Sequence, residues 1–158
     1  MKSRATRTIL SNEERSFAAR HRVAHLATAG ATGAPHVIPL CYALLGDVFY
    51  FVIDEKPKRS RSGLKRLRNI TVNPQVALLI DDYDEDWMRL AYLLVHGLAT
   101  RVVERSEYEQ ALDALRQRYP QYRSMPLAFA THPMVRITPS RTHGWRASGE
   151  PGTRAVCR

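Results

Sequence analysis

The sequence predicts a mainly β (α+β) domain, a small six-stranded antiparallel barrel with helices at its periphery. Three observations carry that prediction. Six short apolar runs recur along the chain, bounded by Gly, Pro and Asn turn signals. Most follow one another at hairpin spacing. Three helical patterns stand outside them, which argues for helices at the edges of one sheet.

Taken in order, Ser11-Asn12-Glu13-Glu14 is a capping box, with Ser11 at the N-cap and Glu14 at the third helical position, and predicts a short helix to about Arg20. Val23–Thr28 reads as the first strand, and Gly30–Ala34 as a turn. Pro35–Leu44 reads as the second strand; Pro35 and Pro39 within it mark an edge or a bulge, because proline cannot donate to the ladder. Gly46-Asp47 is a hairpin turn into the third strand, Val48–Ile53. Leu64, Leu67 and Ile70 mark a short amphipathic helix stopped by Asn73-Pro74. Val76–Ile80 is the fourth strand. An acidic loop leads to a fifth, Met88–Val103, where Gly97 signals a bulge or a close backbone approach. Ser106–Tyr119 reads as a helix with Ser106 and Glu109 as a second capping box, ended by Pro120. Met134–Thr138 is the expected last strand.

The 158 residues suffice for one domain, expected at 11–146 between a flexible N-terminus (1–10) and a flexible tail (147–158). The hydrophobic fraction of 44% and charged fraction of 25% are ordinary for a globular protein. The two cysteines, Cys41 and Cys157, give neither a disulfide framework nor metal-ligand spacing. With no signal-peptide pattern and no apolar run of membrane-spanning length, a cytoplasmic protein with no membrane partner is expected.

The formal net charge of +9 points to anionic partners. Its placement is more informative than its size. Seven of the thirteen residues from Lys56 to Arg68 are basic and none is acidic, and the cluster sits where a strand ends and a short helix begins. Cations at such a point suit a phosphate. Nucleic acid is disfavoured as a partner: the basic run lacks interleaved aromatics, no reader motif is present, and Asp81, Asp82, Asp84, Glu85 and Asp86 follow closely. His25 and His36 alternate with apolar residues and read as structural. His96, His132 and His143 show no metal spacing, and no nucleophile motif stands out, so catalytic residues are left unassigned.

Several stretches together resemble the pyridoxamine 5'-phosphate oxidase-like flavin-binding split barrels. Val23–Thr28 with Gly33–Pro39 is similar to that family's opening hairpin. Lys65-Arg66-Leu67-Arg68-Asn69-Ile70, closed by Asn73-Pro74 and followed by Val76–Leu79, is similar to its phosphate element. Ile137-Thr138-Pro139 with Gly144-Trp145 is like its last strand. Asp81–Trp87 resembles a signature within the branch of deazaflavin (coenzyme F-420)-dependent enzymes. The resemblance runs from about Ser11 to Arg146.

What the resemblance implies is a split barrel that forms a homodimer, with a cofactor at the dimer interface and its ring against the second and third strands. Pro39, Leu40 and Cys41 would line the ring. Because Asp54–Leu64 is longer and more basic than the family pattern, either the Lys65-Arg66 pair or Lys58, with Arg61 near it, would hold the phosphate. Trp87 and Trp145 would close over the cofactor from the other protomer, or serve as packing. Apart from the resemblance, the acidic block reads either as a solvated loop or as a pairing surface for the basic block of a partner subunit. The implied function is an oxidoreductase that uses deazaflavin coenzyme F-420 or FMN to move a hydride to or from a small conjugated substrate. The acidic-Trp signature and the extended basic segment favour the deazaflavin, whose tail is anionic. The alternatives are a non-catalytic flavin- or haem-binding split barrel and, last, a basic nucleic-acid-binding protein. Arg141-Thr142-His143 is similar to the Arg-x-His step of vitamin B6 oxidases but falls after the expected last strand, and most of the other substrate-phosphate residues of those enzymes are missing.

Overall fold

The computed structural model of the chain describes residues 9–54 and 64–147. Helix α1 (Asn12–Arg20) starts as expected: the Glu14 amide donates to Ser11 Oγ at 3.2 Å, and the Ser11 amide donates to the Glu14 carboxylate at 2.7 Å. The strands are β1 (Ala24–Ala29), β2 (Pro35–Leu40), β3 (Ala43–Leu45), β4 (Val48–Val52), β5 (Gln75–Asp82), β6 (Ala91–Arg101) and β7 (Met134–Arg146). Helix α2 (Lys65–Val72) lies between β4 and β5, and α3 (Arg105–Arg118) between β6 and β7. Short 3₁₀ turns occupy Trp87–Arg89 and Pro120–Arg123.

The described residues thus hold seven strands where six were expected, all paired antiparallel in one sheet of order β2-β1-β5-β6-β7-β4-β3. The extra strand comes from a break in the expected second one. At the break, the Tyr42 amide donates to the Tyr119 hydroxyl (3.1 Å), and Tyr42 O lies 2.9 Å from the same oxygen. A side chain from beyond α3 therefore takes both backbone groups that a continuous strand would give to a neighbour.

That break shapes the molecule. β2 and β3 are the two edges of the sheet, yet only Cys41 and Tyr42 separate them. Three residue steps reach at most about 10 Å. A flat sheet would place those edges six strand spacings apart, about 29 Å. The sheet must therefore curl until its edges approach each other, giving a half-barrel split between β2 and β3.

Inside the curl, Leu26, Phe49, Phe51, Leu78, Ile80, Leu93, Val95 and Ile137 form the main core, closed at one end by Leu10 and Phe17. A second core lies outside it, where Tyr108, Leu112 and Leu115 of α3 cover Tyr50 and Val52 of β4. β4 is buried on both faces, which is why its sequence is a continuous apolar run and not an alternating one.

Three further expectations are corrected. The last strand does not stop at Thr138: β7 continues to Arg146, so Arg141-Thr142-His143 and Gly144-Trp145 lie within it, paired with β6 from His96 to Ala91. Pro139 is accommodated by a bulge at His96/Gly97, where a Cβ on Gly97 would lie 2.6 Å from Thr138 O. β6 begins at Ala91, because Asp86 caps a 3₁₀ turn over Trp87–Arg89 through the Met88 amide (3.1 Å). The Ser106 capping box does not form. The chain leaves the sheet at buried Val102, whose amide bonds Met134 O (2.9 Å), and α3 starts at once behind Glu104, which puts Ser106 one residue inside the helix.

No helix among the described residues is long and apolar enough to cross a membrane.

Candidate functional site

A cleft of about 420 Å³ opens at the split in the barrel. Ile38, Pro39, Leu40 and Cys41 at the end of β2 form one wall, with Val23 beside them. Phe51, Val52 and Asp54, at and just beyond the end of β4, form the floor. Arg66, from the first turn of α2, and Tyr122, from the 3₁₀ turn after α3, complete it. The lining is apolar apart from four groups: the Arg66 guanidinium, the Asp54 carboxylate, the Tyr122 hydroxyl and the Cys41 thiol. A mostly apolar cleft with a few fixed polar groups is the usual form of a small-molecule site.

Each wall has a local cause. α2 is pinned to the sheet by a buried pair, Asn69 Nδ2 donating to Thr28 Oγ1 at 3.0 Å. Gly30 leaves room for it; a Cβ there would lie 2.9 Å from Asn69 Oδ1. At the N-terminus of α2, Leu64 occupies the cap without a side-chain hydrogen bond, and Lys65 and Arg66 are the first two helical residues. Cations at this end oppose the helix dipole, so a bound anion would be favoured twice, by the side chains and by the dipole.

The opposite wall is held by a polar knot under Cys41. Tyr42 Oη lies 2.6 Å from Ala18 O and 2.9 Å from His21 O, and Arg118 donates to Ala18 O (3.0 Å), Ala19 O (2.8 Å) and His21 O. These carbonyls end α1, where a cation is favourable. Tyr119 continues the knot: its hydroxyl accepts from Arg118 Nε (3.0 Å) and has Arg22 O at 2.7 Å. Pro120 then turns the chain so that Tyr122 comes under the cleft, with its amide on Tyr119 O (3.0 Å).

There, Tyr122, Asp54 and Cys41 line the cleft together. Burial, and then the Asp54 charge, push the Tyr122 hydroxyl far above the ordinary tyrosine range. The same two causes raise the Cys41 thiol. Both are therefore neutral near pH 7, and Cys41 is no thiolate nucleophile.

The sequence-predicted residues separate into groups. Pro39, Leu40, Cys41 and Arg66 come together in this cleft. Lys65 is exposed at the start of α2 and does not line it. Lys58 and Arg61 lie outside the described residues. Trp87 is exposed (69%) on its 3₁₀ turn. Trp145 stacks on Tyr92, with centroids 5.5 Å apart, and lines a separate groove with Phe17 and Arg146. Neither tryptophan reaches the cleft within one protomer. The acidic block makes pairs inside the chain: Asp81 with His25 (3.5 Å), Asp82 with His21 (3.3 Å), and Asp84 and Asp86 with Arg89 (3.9 and 3.6 Å). Asp54 and Tyr122 escaped the sequence reading. The only signals were an acid directly after a buried strand and a tyrosine just past a helix-ending proline.

A curled antiparallel half-barrel, with a cleft at its split and a cation-bearing helix start and an apolar strand end lining it, is the architecture of a split barrel. Residues 10–146 match the family model described as pyridoxamine 5'-phosphate oxidase. The chain belongs to that family. A search of curated proteins finds no match to the chain. Among solved structures, it is similar to a conserved hypothetical protein of Mycobacterium tuberculosis (23% identity, 93% of this chain and 91% of that one, TM-score 0.69). It is also similar to an FAD-binding protein of Mesorhizobium loti (24% identity, 85% and 94%, TM-score 0.63) and to the haem storage protein of Vibrio cholerae (19% identity, 87% and 94%, TM-score 0.66). At these identities the likeness is one of fold.

Proposed function

We propose that the protein binds a flavin-type cofactor, FMN or deazaflavin coenzyme F-420, in the cleft at the split of its barrel and acts as an oxidoreductase on a small conjugated substrate. The observation that carries this reading is the meeting of Arg66, at an N-terminus with no side-chain cap, with the apolar Pro39-Leu40-Cys41 wall in one cleft. The residues fit such a group: a flat ring against the strand wall and an anion toward Arg66. The cleft volume of about 420 Å³ lies within the range of cofactor sites.

When bound, the cofactor supplies the hydride chemistry. The chain supplies the rest. Arg66, with Lys65 at the helix start, binds the anionic end. Pro39 and Leu40 orient the ring and keep water from one face. Asp54, Tyr122 and Cys41 offer the polar edge.

The known structures of this fold include both FAD- and haem-binding proteins. Among the described lining residues there is no His or Met to serve as an axial ligand, and Cys41 and Tyr122 are held neutral, so the donor set favours a flavin over haem.

A homodimer belongs to the same proposal. Val23, which lines the cleft just before β1, and Val37 of β2 are 47% and 59% exposed, and a second protomer would cover them. In such a dimer Trp87 and Trp145 would be supplied from across the interface. Reversing the charges of Asp84 and Asp86 tests the contribution of the acidic block: the proposal expects a weaker dimer by light scattering, and an unchanged one removes that role.

The direct test is an absorbance and fluorescence titration with FMN and, separately, the deazaflavin coenzyme. Tight uptake of one, weakened at least tenfold in Lys65→Ala/Arg66→Ala, is expected, since a charge-assisted phosphate contact is worth about 1.5–3 kcal/mol. Uptake of neither refutes the reading.

A further inference from the structure

The groove beside Trp145 shares no lining residue with the cleft. It encloses about 420 Å³ between Glu13, Glu14 and Phe17 of α1, Tyr92 of β6, and Trp145 and Arg146 of β7. A second hollow of about 370 Å³ adjoins it, sharing Glu13 and Arg146 and adding Asn12, Ser16 and Arg20. Together they form a trough with unlike ends. At one end Trp145 is stacked on Tyr92, and both rings are half-buried. The Glu14 carboxylate lines the same end. One of its oxygens accepts from the Ser11 amide (2.7 Å). The other, Oε1, lies over Gly144, where even an added Cβ would stand 3.7 Å away. At the other end Arg20 and Arg146 both sit over the Phe17 ring, 5.9 and 5.8 Å from its centroid. Among the described residues none of Glu13, Glu14, Arg20 and Arg146 is ion-paired. The dipole of α1 accounts for glutamates in its first turn and Arg20 in its last. It does not account for Tyr92, Trp145 and Arg146, which the last rungs of the β6–β7 ladder bring to the same trough.

We propose that this trough is a second small-molecule site, separate from the cleft, and that it takes an organic zwitterion. The ammonium head lies against the Tyr92–Trp145 pair and the Glu14 carboxylate; the carboxylate end points to Arg20 and Arg146. The aromatic faces and the nearby carboxylates attract an organic cation and repel an anion. Two guanidiniums held over one ring repel each other and are relieved by a carboxylate, which their planar donors match. A simple cation or anion satisfies one end and is repelled by the other. Glu14 and Arg20 are six residue steps apart, about 9 Å along a helix. The two charges of the ligand are therefore several bonds apart, as in an ω-ammonio carboxylate, and not on one carbon. This assignment is independent of the flavin reading of the cleft.

The experiment titrates flavin-free protein with three probes of one shape. They are γ-trimethylammoniobutyrate, its methyl ester, which is a cation only, and its all-carbon isostere with a tert-butyl head, which is an anion only. The chain has two tryptophans, so Trp87→Phe leaves Trp145 as the reporter of fluorescence. The zwitterion should bind more tightly than either control. Glu13→Gln/Glu14→Gln, which keeps a capping side chain at the third helical position, should weaken the zwitterion and the ester by about two- to fivefold and spare the isostere. Arg20→Gln/Arg146→Gln should weaken the zwitterion and the isostere by a similar factor and spare the ester. Uptake of FMN or the deazaflavin coenzyme by either double variant, with Trp87 in place, should equal that of wild type. No response of Trp145 to the zwitterion, equal affinity for all three probes, binding of one control alone, or affinities indifferent to both double variants would overturn the assignment and leave the cleft reading untouched. Loss of flavin uptake in the double variants would overturn the separateness of the two sites.

Discussion

The Asn69–Thr28 pair ties α2 to the sheet, and its contribution follows from the geometry. Both side chains are buried, at 7% and 3% exposure, and meet at 3.0 Å. Asn69→Leu keeps the volume but leaves the Thr28 hydroxyl without its donor. Thr28→Val keeps the shape but strands an Asn69 N–H. Each change should cost about 1–3 kcal/mol, the penalty of a buried polar group left unsatisfied. Removing both partners replaces a polar contact with an apolar one of similar shape, which can be nearly neutral. The double variant should therefore be more stable than the sum of the single changes predicts, by about 1–2 kcal/mol. The assay is urea unfolding of the four proteins. Single variants should also lose about 2–4 °C in Tm per kcal/mol for a chain of this size. Flavin affinity should fall with stability in Asn69→Leu, since Arg66 lies one turn before Asn69 on the same helix. Additive single effects, with coupling below about 0.3 kcal/mol, would refute the reasoning.

Gly97→Ala places a Cβ 2.6 Å from Thr138 O and 3.1 Å from Ile137 Cγ2, and should destabilise by about 1–3 kcal/mol through overpacking at the bulge, read by thermal unfolding. Tyr50 donates to the Glu107 carboxylate at 2.9 Å; burial first and that carboxylate second push its hydroxyl up to about 12 from 10. A raised pKa means that the folded state holds its proton more tightly. Its contribution is therefore fully present below pH 10 and lost as pH rises toward 12. Urea midpoints of Tyr50→Phe should consequently fall less steeply over that window than those of wild type. Arg118→Met removes the donor shared by the α1 carbonyls and should lower stability by about 1.5–3 kcal/mol, the worth of hydrogen bonds from a charged group, since the Tyr42 hydroxyl still reaches Ala18 O and His21 O. A loss confined to a few tenths in urea unfolding would show that water replaces it.

Much of the fold was legible in the sequence because its signals are local. Ser11 and Glu14 specify a helix start by side-chain reach alone. Asn73-Pro74 stops α2 through proline sterics. The two-residue Gly46-Asp47 hairpin and the alternation in β1 follow from backbone geometry that neighbouring residues share. The candidate site was half legible for the same reason: Pro39, Leu40, Cys41 and Arg66 belong to continuous stretches whose pattern marks a strand wall and a cation-bearing helix start. What the tertiary structure decided depends on partners far away in the chain. Tyr119 breaks the expected second strand from 77 residues away by taking the backbone groups of Tyr42. β7 runs on to Arg146 because β6 offers a ladder to pair with, although Pro139 and Gly144 weaken its own strand pattern. Asp54 and Tyr122 become neighbours only because the sheet curls and α3 ends beneath the split. Sequence by itself determined the elements and the chemistry of each wall; the closing of the curled sheet, a long-range constraint, decided which polar groups face one another in the cleft.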